Sequence, residues 1–378
     1  MMATKEAGPP PDAIERIHAS GCQSVLALTG GGSAAIPTLL SVPGASASIL
    51  AATVPYSAAA LADWLGGKFD QASSEPTARA MAMAGFERAR KFAADEVDPR
   101  SLRGIGATAS LVSNRPKRGP HRIYVAWQSA EATVSYTCEL VKERRSRLQE
   151  ESVAAQLIVH AVAEACGVVE CSPPAPSADE PVVRREQRAP REWTELLLGE
   201  RQQVEYRLAG PPRAIFSGAF NPLHDGHRRM AELAAARLSA PVAMELSIAN
   251  VDKPTLDFLE IEARLAGLAD FPVLLTRAPT FVEKAALAPG ATFVVGADTI
   301  VRIAEEKYYG GDRQKRDSAI ANIANRGCRF LVFGRQCDGR FVLPSELGLP
   351  SQLRAMCDEV PPHLFRFDIS STELRTGL

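Results

Sequence analysis

Apolar residues along this chain occur either in short continuous runs or at intervals of three and four residues. These two patterns alternate more regularly in the second half of the chain than in the first. In the second half, short apolar runs alternate with longer segments in which apolar residues recur three and four positions apart. The runs predict strands at 213–218, 241–248, 272–276, 291–296, 328–333 and 364–368. The segments between them predict helices at about 224–238, 257–269, 280–287, 298–306 and 315–326. This alternation is typical of an α/β domain built on a parallel sheet with helices on both faces.

The first half also mixes strands and helices, in a less regular order. Its apolar runs predict strands at 24–28, 48–54, 103–112, 121–128 and 132–141. Helical spacing predicts helices at about 13–19, 34–41, 57–66, 75–94 and 146–166. The sequence therefore predicts a second α/β domain in this half.

A change of composition marks the boundary between the halves. Residues 172–192 contain five prolines among many charges and almost no large apolar side chain. Such a stretch buries too little apolar surface to fold, so we interpret 171–193 as a linker. A chain of 378 residues also exceeds a single ordinary core. We expect a disordered lead at 1–11 and two domains, at 12–170 and 194–378.

Composition narrows the class of protein. Apolar residues make up 46%, charged residues 23%, and the net charge is −1, so no global feature favours a nucleic-acid or membrane partner. No uncharged apolar run reaches about 18 residues, and the N-terminus lacks the apolar core of a signal peptide. Seven scattered cysteines without a C-x-x-C pair favour a reducing, cytoplasmic environment.

The first strand of the second half ends in an unusual turn. In a parallel α/β sheet, ligands bind outside the carboxyl ends of the strands. Here residues 214–227 read A-I-F-S-G-A-F-N-P-L-H-D-G-H, which places two histidines at the start of the next helix. The pattern G-x-F-x-P-x-H-x-G-H is formed by Gly218, Phe220, Pro222, His224, Gly226 and His227. Free N–H groups and two imidazoles there suit an anion with several oxygens, whereas the alternative is that the histidines only cap the helix.

Other strand ends also carry candidate ligand-binding residues. Gly296 and Asp298 follow the fourth strand, and Lys253 follows the second, where it could reach a substrate phosphate. Asp298 could instead cap the next helix, and Lys253 could be an ordinary surface lysine. The charged run 312–316 predicts either a mobile loop facing phosphate or a solvated face. We expect no metal site built from protein side chains alone.

The chain end carries a second polar motif, I-S-S-T-E-L-R at 369–375. Hydroxyl groups, exposed N–H groups and a guanidinium again suit phosphate. The candidate ligands are Ser370, Ser371, Thr372 and Arg375. The S-x-x-E pattern within the motif is also that of a helix capping box, so by itself it is not specific.

Together these motifs resemble the two signatures of the nucleotidyltransferase superfamily, H-x-G-H and I-S-S-T-x-h-R, where h is apolar. Within it they most resemble nicotinamide- and nicotinate-mononucleotide adenylyltransferases, with cytidylyltransferases and phosphopantetheine adenylyltransferase as relatives. The resemblance implies a Rossmann-like doubly wound domain and an Mg²⁺-dependent attack of an acceptor on the α-phosphate of ATP or CTP. It also implies that His224 and His227 contact the triphosphate, that a G-x-D such as Gly296–Asp298 holds the nucleotide, and that no covalent intermediate forms.

Residues 12–170 resemble the CinA-type nicotinamide-nucleotide amidase domain. The similarity lies in T-G-G at 29–31, S-V-P-G-A-S at 41–46 and V-P-Y-S at 54–57. It implies an α/β sandwich. The family's nucleophilic serine falls at Ala27 and its lysine near Leu61, and its T-G-I-A-G-P loop is replaced at 107–112. We therefore expect an inactive domain kept for homo-oligomer formation, nucleotide sensing or scaffolding, although the glycine turn at 29–32 could bind an anion.

Three hypotheses follow for the whole chain. The leading one is adenylylation of nicotinate or nicotinamide mononucleotide in NAD biosynthesis, which the pairing of the two resemblances favours. The second is cytidylyl or adenylyl transfer to another phosphate or alcohol acceptor. The third is a nucleotide-binding regulator without catalytic activity. An aminoacyl-tRNA synthetase of the H-x-G-H type is disfavoured because the second half is too short and has no evident tRNA-binding extension.

Overall fold

The computed structural model describes residues 11–114, 118–168, 173, 175–251, 254–337, 340–342, 344–361 and 363–365. The chain forms two compact units. The first contains 1–194 together with 252–260, and the second contains 195–251 and 261–378. The lead predicted at 1–11 lies outside the described residues except for Pro11, where the first helix begins.

The first unit is an α/β sandwich. Its strands are β1 (Gln23–Thr29), β2 (Ile49–Thr53), β3 (Leu102–Ser110), β4 (His121–Gln128), β5 (Ala132–Leu140) and β6 (Val182–Arg188). Its helices are α1 (Pro11–Ala19), α2 (Ala35–Leu40), α3 (Ala58–Leu65), α4 (Glu75–Phe92), α5 (Arg147–Ala165) and the start of α6 (Arg191–Leu198). The sheet order is β2-β1-β3-β4-β5-β6, with β1 parallel to β2 and β3 and the other pairs antiparallel. The predicted elements before residue 170 are thus present with small shifts at their ends.

Helices cover both faces of this sheet. Leu26 and Leu28 pack in the cluster that contains apolar residues of α1, α2 and α5, whereas Ala27 packs with α3 and α4. Helix α4 lies unusually close to β3 because glycine stands at the crossing. A Cβ on Gly104 would lie 1.9 Å from the carbonyl oxygen of Ala82. Glycine at this position therefore allows the α4 backbone to contact the sheet.

The prediction of a linker at 171–193 is wrong for much of the part of this range that the structure describes. Strand β6 pairs antiparallel with β5, from Cys138 opposite Val182 to Ala132 opposite Arg188. Besides this pairing, Val182 packs on the apolar core of the unit and ion pairs hold the charged positions of the strand. The Arg184 guanidinium binds a carboxylate oxygen of Glu164 on α5 at 2.6 Å. Because the strand is mostly charged, its composition is that of a linker, and only its partners show that it is ordered.

Glu180, in the same segment, is also tied to the first unit. Its carboxylate is fully buried and accepts hydrogen bonds from both terminal nitrogens of Arg145, at 2.6 and 2.7 Å, and from the N–H of Val141 at 2.8 Å. The Arg145 guanidinium is the main reason that the pKa of Glu180 is lowered from 4.5 to about 2, against the opposing effect of burial. The charged form is therefore the one that stabilises the folded unit.

We expect the stability of the first unit to decrease as the pH decreases, because of Glu180. A carboxyl whose pKa is lower in the folded state contributes stability above its unfolded pKa, and this contribution is lost as pH falls from about 4.5 to about 2. The Glu180→Gln variant is expected to be about 2 kcal/mol less stable than the parent at pH 7, with a difference that shrinks across that window. Urea unfolding followed by tryptophan fluorescence measures this, since Trp64, Trp127 and Trp193 all belong to the first unit. A difference that does not change with pH would contradict the assignment.

The second unit is built on a doubly wound sheet. Its strands are β7 (Gln203–Tyr206), β8 (Ala214–Ser217), β9 (Val242–Ser247), β10 (Val273–Thr276), β11 (Thr292–Gly296), β12 (Arg329–Phe333) and β15 (Cys357–Val360), and a separate hairpin joins β13 (Arg335–Cys337) to β14 (Arg340–Val342). Its helices are α7 (Asp225–Leu238), α8 (Phe258–Gly267, whose first turn belongs to the first unit), α9 (Phe281–Leu287), α10 (Ala297–Ala304), α11 (Arg313–Asn325) and α12 (Ser351–Ala355). The sheet order is β15-β12-β11-β8-β9-β10-β7, and every neighbouring pair is parallel except β10 with β7. Apart from the antiparallel edge, this is the 3-2-1-4-5-6 order of a Rossmann-like fold, as expected.

The last strand of this sheet differs from the prediction at 364–368. The sixth parallel strand is β15, at Cys357–Val360, while Leu364 and Phe365 lie in a turn and in irregular chain, and 366–368 lie outside the described residues. Strand β15 contains two acidic residues, which is why its sequence does not indicate a strand. At the edge of the sheet such side chains can remain at the surface, and Asp358 forms an exposed ion pair with Arg329 at 3.2 Å. Among the helices of the described residues, none is both long and apolar enough to cross a membrane.

Candidate functional site

The strand order identifies where a ligand would bind in the second unit. Strand β8 lies between β9 and β11. The chain adds β9 and β10 on one side of β8 and then crosses to the other side, where it adds β11, β12 and β15. A doubly wound sheet opens a crevice at this reversal, outside the carboxyl ends of the strands. Phe216 on β8 is in register with Val294 on β11, so both strands end at the same level. The turn after β8 and the turn after β11 therefore border one crevice.

The turn after β8 is shaped by a buried aromatic ring. Phe220 is 3% exposed and has a φ of +46°, in the left-handed region that non-glycine residues rarely adopt. Its ring packs edge-on against the rings of Phe216 and His227, each at 5.3 Å between centroids. A Cβ on Gly218 would lie 2.7 Å from this ring. Glycine is therefore needed at this position to leave space for the ring, and not because of its backbone conformation. Phe220, Gly218 and His227 thus form one packed arrangement, and Pro222 lies in the same turn.

The two histidines lie together at the start of helix α7. His224 is the N-cap residue, and its ring stacks on that of His227 with 3.7 Å between centroids and 27° between planes. The backbone N–H of His224 donates to Nδ1 of His227 at 3.3 Å. Because Nδ1 accepts, the neutral His227 ring carries its proton on Nε2, which makes Nε2–H a hydrogen-bond donor.

The start of α7 adds further positive character to this position. The helix has 14 residues, and Gly226 in its first turn is buried. The aligned peptide dipoles and the first N–H groups of such a helix favour an anion at its N-terminus. The arrangement can therefore donate hydrogen bonds to several oxygens of one anionic group and stabilise negative charge that builds up on it.

The turn after β11 brings a carboxylate to the same crevice. Strand β11 ends at Gly296, which is the N-cap residue of α10, and Asp298 lies in the first turn of that helix. A Cβ on Gly296 would lie 2.6 Å from Oδ1 of Asp298, so the carboxylate folds back over the strand end. This position is compatible with both roles considered for Asp298, nucleotide binding and helix capping.

A buried ion pair that the sequence does not indicate lies on β9, the strand beside the β8 turn. Glu245 on β9 is 1% exposed, and its two carboxylate oxygens lie 2.7 and 2.6 Å from Nζ of Lys284 on α9. Thr276 on β10 donates its hydroxyl to the same carboxylate at 2.5 Å. The Glu245 carbonyl accepts the N–H of Gly218 at 3.1 Å, which ties this group to the turn. The available signal was a single carboxylate within the otherwise apolar strand V-A-M-E-L-S.

Other candidates are distributed differently. Lys253 and the chain-end group Ser370, Ser371, Thr372 and Arg375 lie outside the described residues. The run 312–316, considered as a mobile loop, is instead the start of α11, where the Asp312 carboxylate caps the N–H groups of Gln314 and Lys315. Within the part of the chain that the structure describes, no group of three or more His, Cys, Asp or Glu residues could hold a metal ion.

In the first unit, the glycine turn at 29–32 faces a carboxylate of the chain itself. Glu151 on α5 accepts the hydroxyl of Ser33 at 3.0 Å. Partial burial acts to raise the pKa of Glu151, but hydrogen bonds from the N–H of Gly32 and from Ser33 outweigh it and lower the pKa. Ala27 and Leu61, at the positions expected for the amidase serine and lysine, lie in one buried apolar cluster. The anion-binding groups of this turn are thus used internally, and the cluster offers neither nucleophile nor base.

Comparison with protein families gives a match in the C-terminal part of the chain. Residues 215–377 match the family described as cytidylyltransferase-like. No curated protein matches the sequence significantly.

Similar solved structures correspond to the N-terminal part of the chain. Competence/damage inducible protein CihA from Agrobacterium tumefaciens is 16% identical, with 42% of this chain and 98% of that chain covered and a TM-score of 0.34. A competence-damaged protein (CinA) superfamily protein from Escherichia coli is 15% identical, with coverage of 43% and 92% and a TM-score of 0.33.

Proposed function

We infer that this protein is a nucleotidyltransferase, because residues 215–377 match the family described as cytidylyltransferase-like. The observation that supports the activity most directly is the stacked pair of His224 and His227 at the start of α7. The pair borders the crevice where a doubly wound sheet binds its ligand. The proposed reaction transfers a nucleoside monophosphate from a triphosphate to a small acceptor.

The proposed mechanism is electrostatic. An oxygen of the acceptor forms a bond to the α-phosphorus of the triphosphate, and the bond from that phosphorus to the bridging oxygen of the β-phosphate breaks. Pyrophosphate leaves with the electron pair, and an attacking hydroxyl would lose its proton to solvent. Nε2–H of His227 and the first N–H groups of α7 donate to phosphate oxygens as their charge increases. This scheme requires no nucleophile from the protein.

The described residues fit a magnesium ion that is held mainly by the substrate. Mg²⁺ commonly binds through one or two carboxylates together with substrate phosphates. Asp298 supplies a carboxylate beside Gly296 at the end of β11, and the described residues contain no larger ligand cluster. When bound, the ion would neutralise part of the triphosphate charge.

We propose adenylylation of nicotinate or nicotinamide mononucleotide from ATP as the specific reaction. Two features support it: the full pattern at 218–227 and the I-S-S-T-E-L-R motif at 369–375. In this proposal Ser370, Ser371, Thr372 and Arg375 bind phosphate, and Lys253 reaches the acceptor's phosphate. The family description favours a second candidate, cytidylyl transfer from CTP to a phosphate or alcohol acceptor. The first unit would then serve as a scaffold or as a surface for homo-oligomer formation.

Pyrophosphate release distinguishes these possibilities. The full-length protein with Mg²⁺ is incubated with ATP or CTP and a panel containing nicotinate mononucleotide, nicotinamide mononucleotide, and other phosphate or alcohol acceptors. Release that depends on ATP and a mononucleotide supports the specific proposal, and release with CTP supports the second. Nucleotide binding without release for any pair would contradict a catalytic role and favour a regulator.

A further inference from the structure

Two cysteines that are far apart in the sequence lie together in the first unit. Cys22 immediately precedes β1, and Cys166 is the C-cap residue of α5. Both are free thiols, and their side chains are joined by a hydrogen bond. We refer to Cys22 and Cys166 as the thiol pair. The spacing of the cysteines does not indicate this contact, because the chain has no C-x-x-C motif.

Other groups hold the two chain segments of the thiol pair side by side. Nε of Arg103, on β3, donates to the carbonyl of Ala165, the last residue of α5, at 2.6 Å. Arg103 is also in register with Ser24 on β1. A terminal nitrogen of Arg16, on α1, donates to the carbonyl of Val168, just after α5, at 2.8 Å. The end of α5 is therefore fixed beside the start of β1 by contacts that do not involve the thiols.

The surroundings of the thiol pair make its two members chemically different. The hydrogen bond from Cys166 is the main reason that the pKa of Cys22 is lowered below its ordinary value of 9.0; burial opposes this effect, and the Arg103 guanidinium adds to it. The pKa of Cys166 is raised, because the same hydrogen bond and burial both favour its protonated form. The carbonyl groups at the end of α5 also disfavour a negative charge there. Cys22 is therefore the thiolate, and Cys166 is the thiol that donates to it.

The exposure of the thiol pair favours a small reactant. Cys22 is 8% exposed, and Cys166 is partly exposed. Hydrogen peroxide is little larger than water and can reach such a position, whereas a bulky disulfide cannot. Cys138, on β5 of the same unit, is completely buried, and burial raises its pKa to about 11. Cys138 therefore has neither the access nor the thiolate character of the pair and serves as an internal reference.

We propose that Cys22 and Cys166 form an oxidation site at which hydrogen peroxide generates a reversible disulfide. The Cys22 sulfur forms a bond to one oxygen of the peroxide, the O–O bond breaks, and the hydroxide that leaves takes up a proton to become water. The Cys166 sulfur then attacks the resulting sulfenic acid. The S–O bond breaks, and the proton of Cys166 passes to the departing hydroxide. Two thiols thus supply two electrons, and one peroxide becomes two waters.

This oxidation is independent of the proposed nucleotidyl transfer, because both cysteines lie within the first unit. The test uses the reduced full-length protein and hydrogen peroxide. After the remaining thiols are blocked with iodoacetamide, mass spectrometry of tryptic peptides should show a disulfide between Cys22 and Cys166, and dithiothreitol should remove it. Cys171 falls in the same tryptic peptide as Cys166. The variant Cys171→Ser should therefore form the bond as the parent does.

Two substitutions of Cys166 separate its two roles. Cys166→Ser keeps a hydrogen-bond donor but cannot form the disulfide, so Cys22 should accumulate as a sulfenic acid that dimedone traps. Cys166→Ala also removes the donor, and its Cys22 should react about tenfold more slowly at pH 7 than in Cys166→Ser, because less of it is thiolate. Its reaction rate should also reach a plateau at a higher pH. Cys138→Ser is the matched control and should form the disulfide at a rate within about twofold of the parent.

Three results in the parent protein would overturn the proposal. Peroxide could oxidise Cys22 no faster than Cys138, the disulfide could join other cysteines, or Cys22 could end as a sulfinic acid without a disulfide. Each is read directly from the peptides of the parent, so none depends on the folding of a variant. Equal rates of Cys22 oxidation in Cys166→Ser and Cys166→Ala would also overturn the role of the hydrogen bond.

Discussion

Replacement of His227 by alanine is expected to reduce pyrophosphate release by a factor on the order of a hundred to a thousand, with the fold intact. The imidazole offers Nε2–H because its Nδ1 accepts the N–H of His224 at 3.3 Å. Losing one well-placed donor to a charge that develops in the transition state typically has this effect. The ring also packs on Phe220, so the substitution removes one wall of the turn.

The matched control for this variant lies on the same helix. Arg229→Ala removes an exposed cation of α7 that contacts Glu232 at the surface, at 3.2 Å. This variant should keep turnover within about twofold of the parent. The double variant His224→Ala with His227→Ala should lose less than the product of the two single effects, since both rings would act on one substrate. Circular dichroism checks that each variant folds. Near-normal turnover of His227→Ala at saturating substrate would refute the assignment of this site.

Replacement of Lys284 by methionine is expected to destabilise the second unit by about 3–5 kcal/mol. Methionine retains most of the volume of the side chain, but it leaves the Glu245 carboxylate buried without its cation. The side chains of Lys284 and Glu245 are only 9% and 2% exposed, and Nζ contacts both carboxylate oxygens. Solvent therefore cannot replace the lost partner at low cost. Chemical denaturation followed by circular dichroism measures the change. All three tryptophans belong to the first unit, so the unfolding of the second unit is the transition that circular dichroism detects and tryptophan fluorescence does not.

Two comparisons separate charge from packing at Lys284. Arg329→Met removes the cation of an ion pair with Asp358 whose side chains are about half exposed, and it should cost no more than about 1 kcal/mol. Glu245→Met added to Lys284→Met removes the uncompensated carboxylate and should restore much of the lost stability. A double variant as unstable as Lys284→Met would show that packing, rather than the buried charge, accounts for the loss.

The doubly wound fold could be predicted from the sequence because its signals are local. Five of the six predicted parallel strands of the second unit and all five predicted helices are present in the structure. Their apolar residues repeat within short windows, and Gly218 and Gly296 stand where the chain must turn. Strand β6 and strand β15 were not predicted because charged residues can form edge strands when ion pairs or solvent satisfy them. That condition depends on partners distant in the sequence.

The sequence by itself determined that two α/β units exist and that two histidines stand at the start of a helix after an apolar strand. Only the tertiary structure decided what surrounds those histidines. The strand order sets β8 beside β11, the Phe220 ring packs against His227, and the main chain of Glu245, whose side chain pairs with Lys284, accepts the N–H of Gly218 in the turn. It also decided that residues 254–260 fold with the first unit, through Arg79 and Asp257. Except for the packing of Phe220 on His227, these features join residues far apart in sequence, and their stability comes from burial and pairing that no local pattern records.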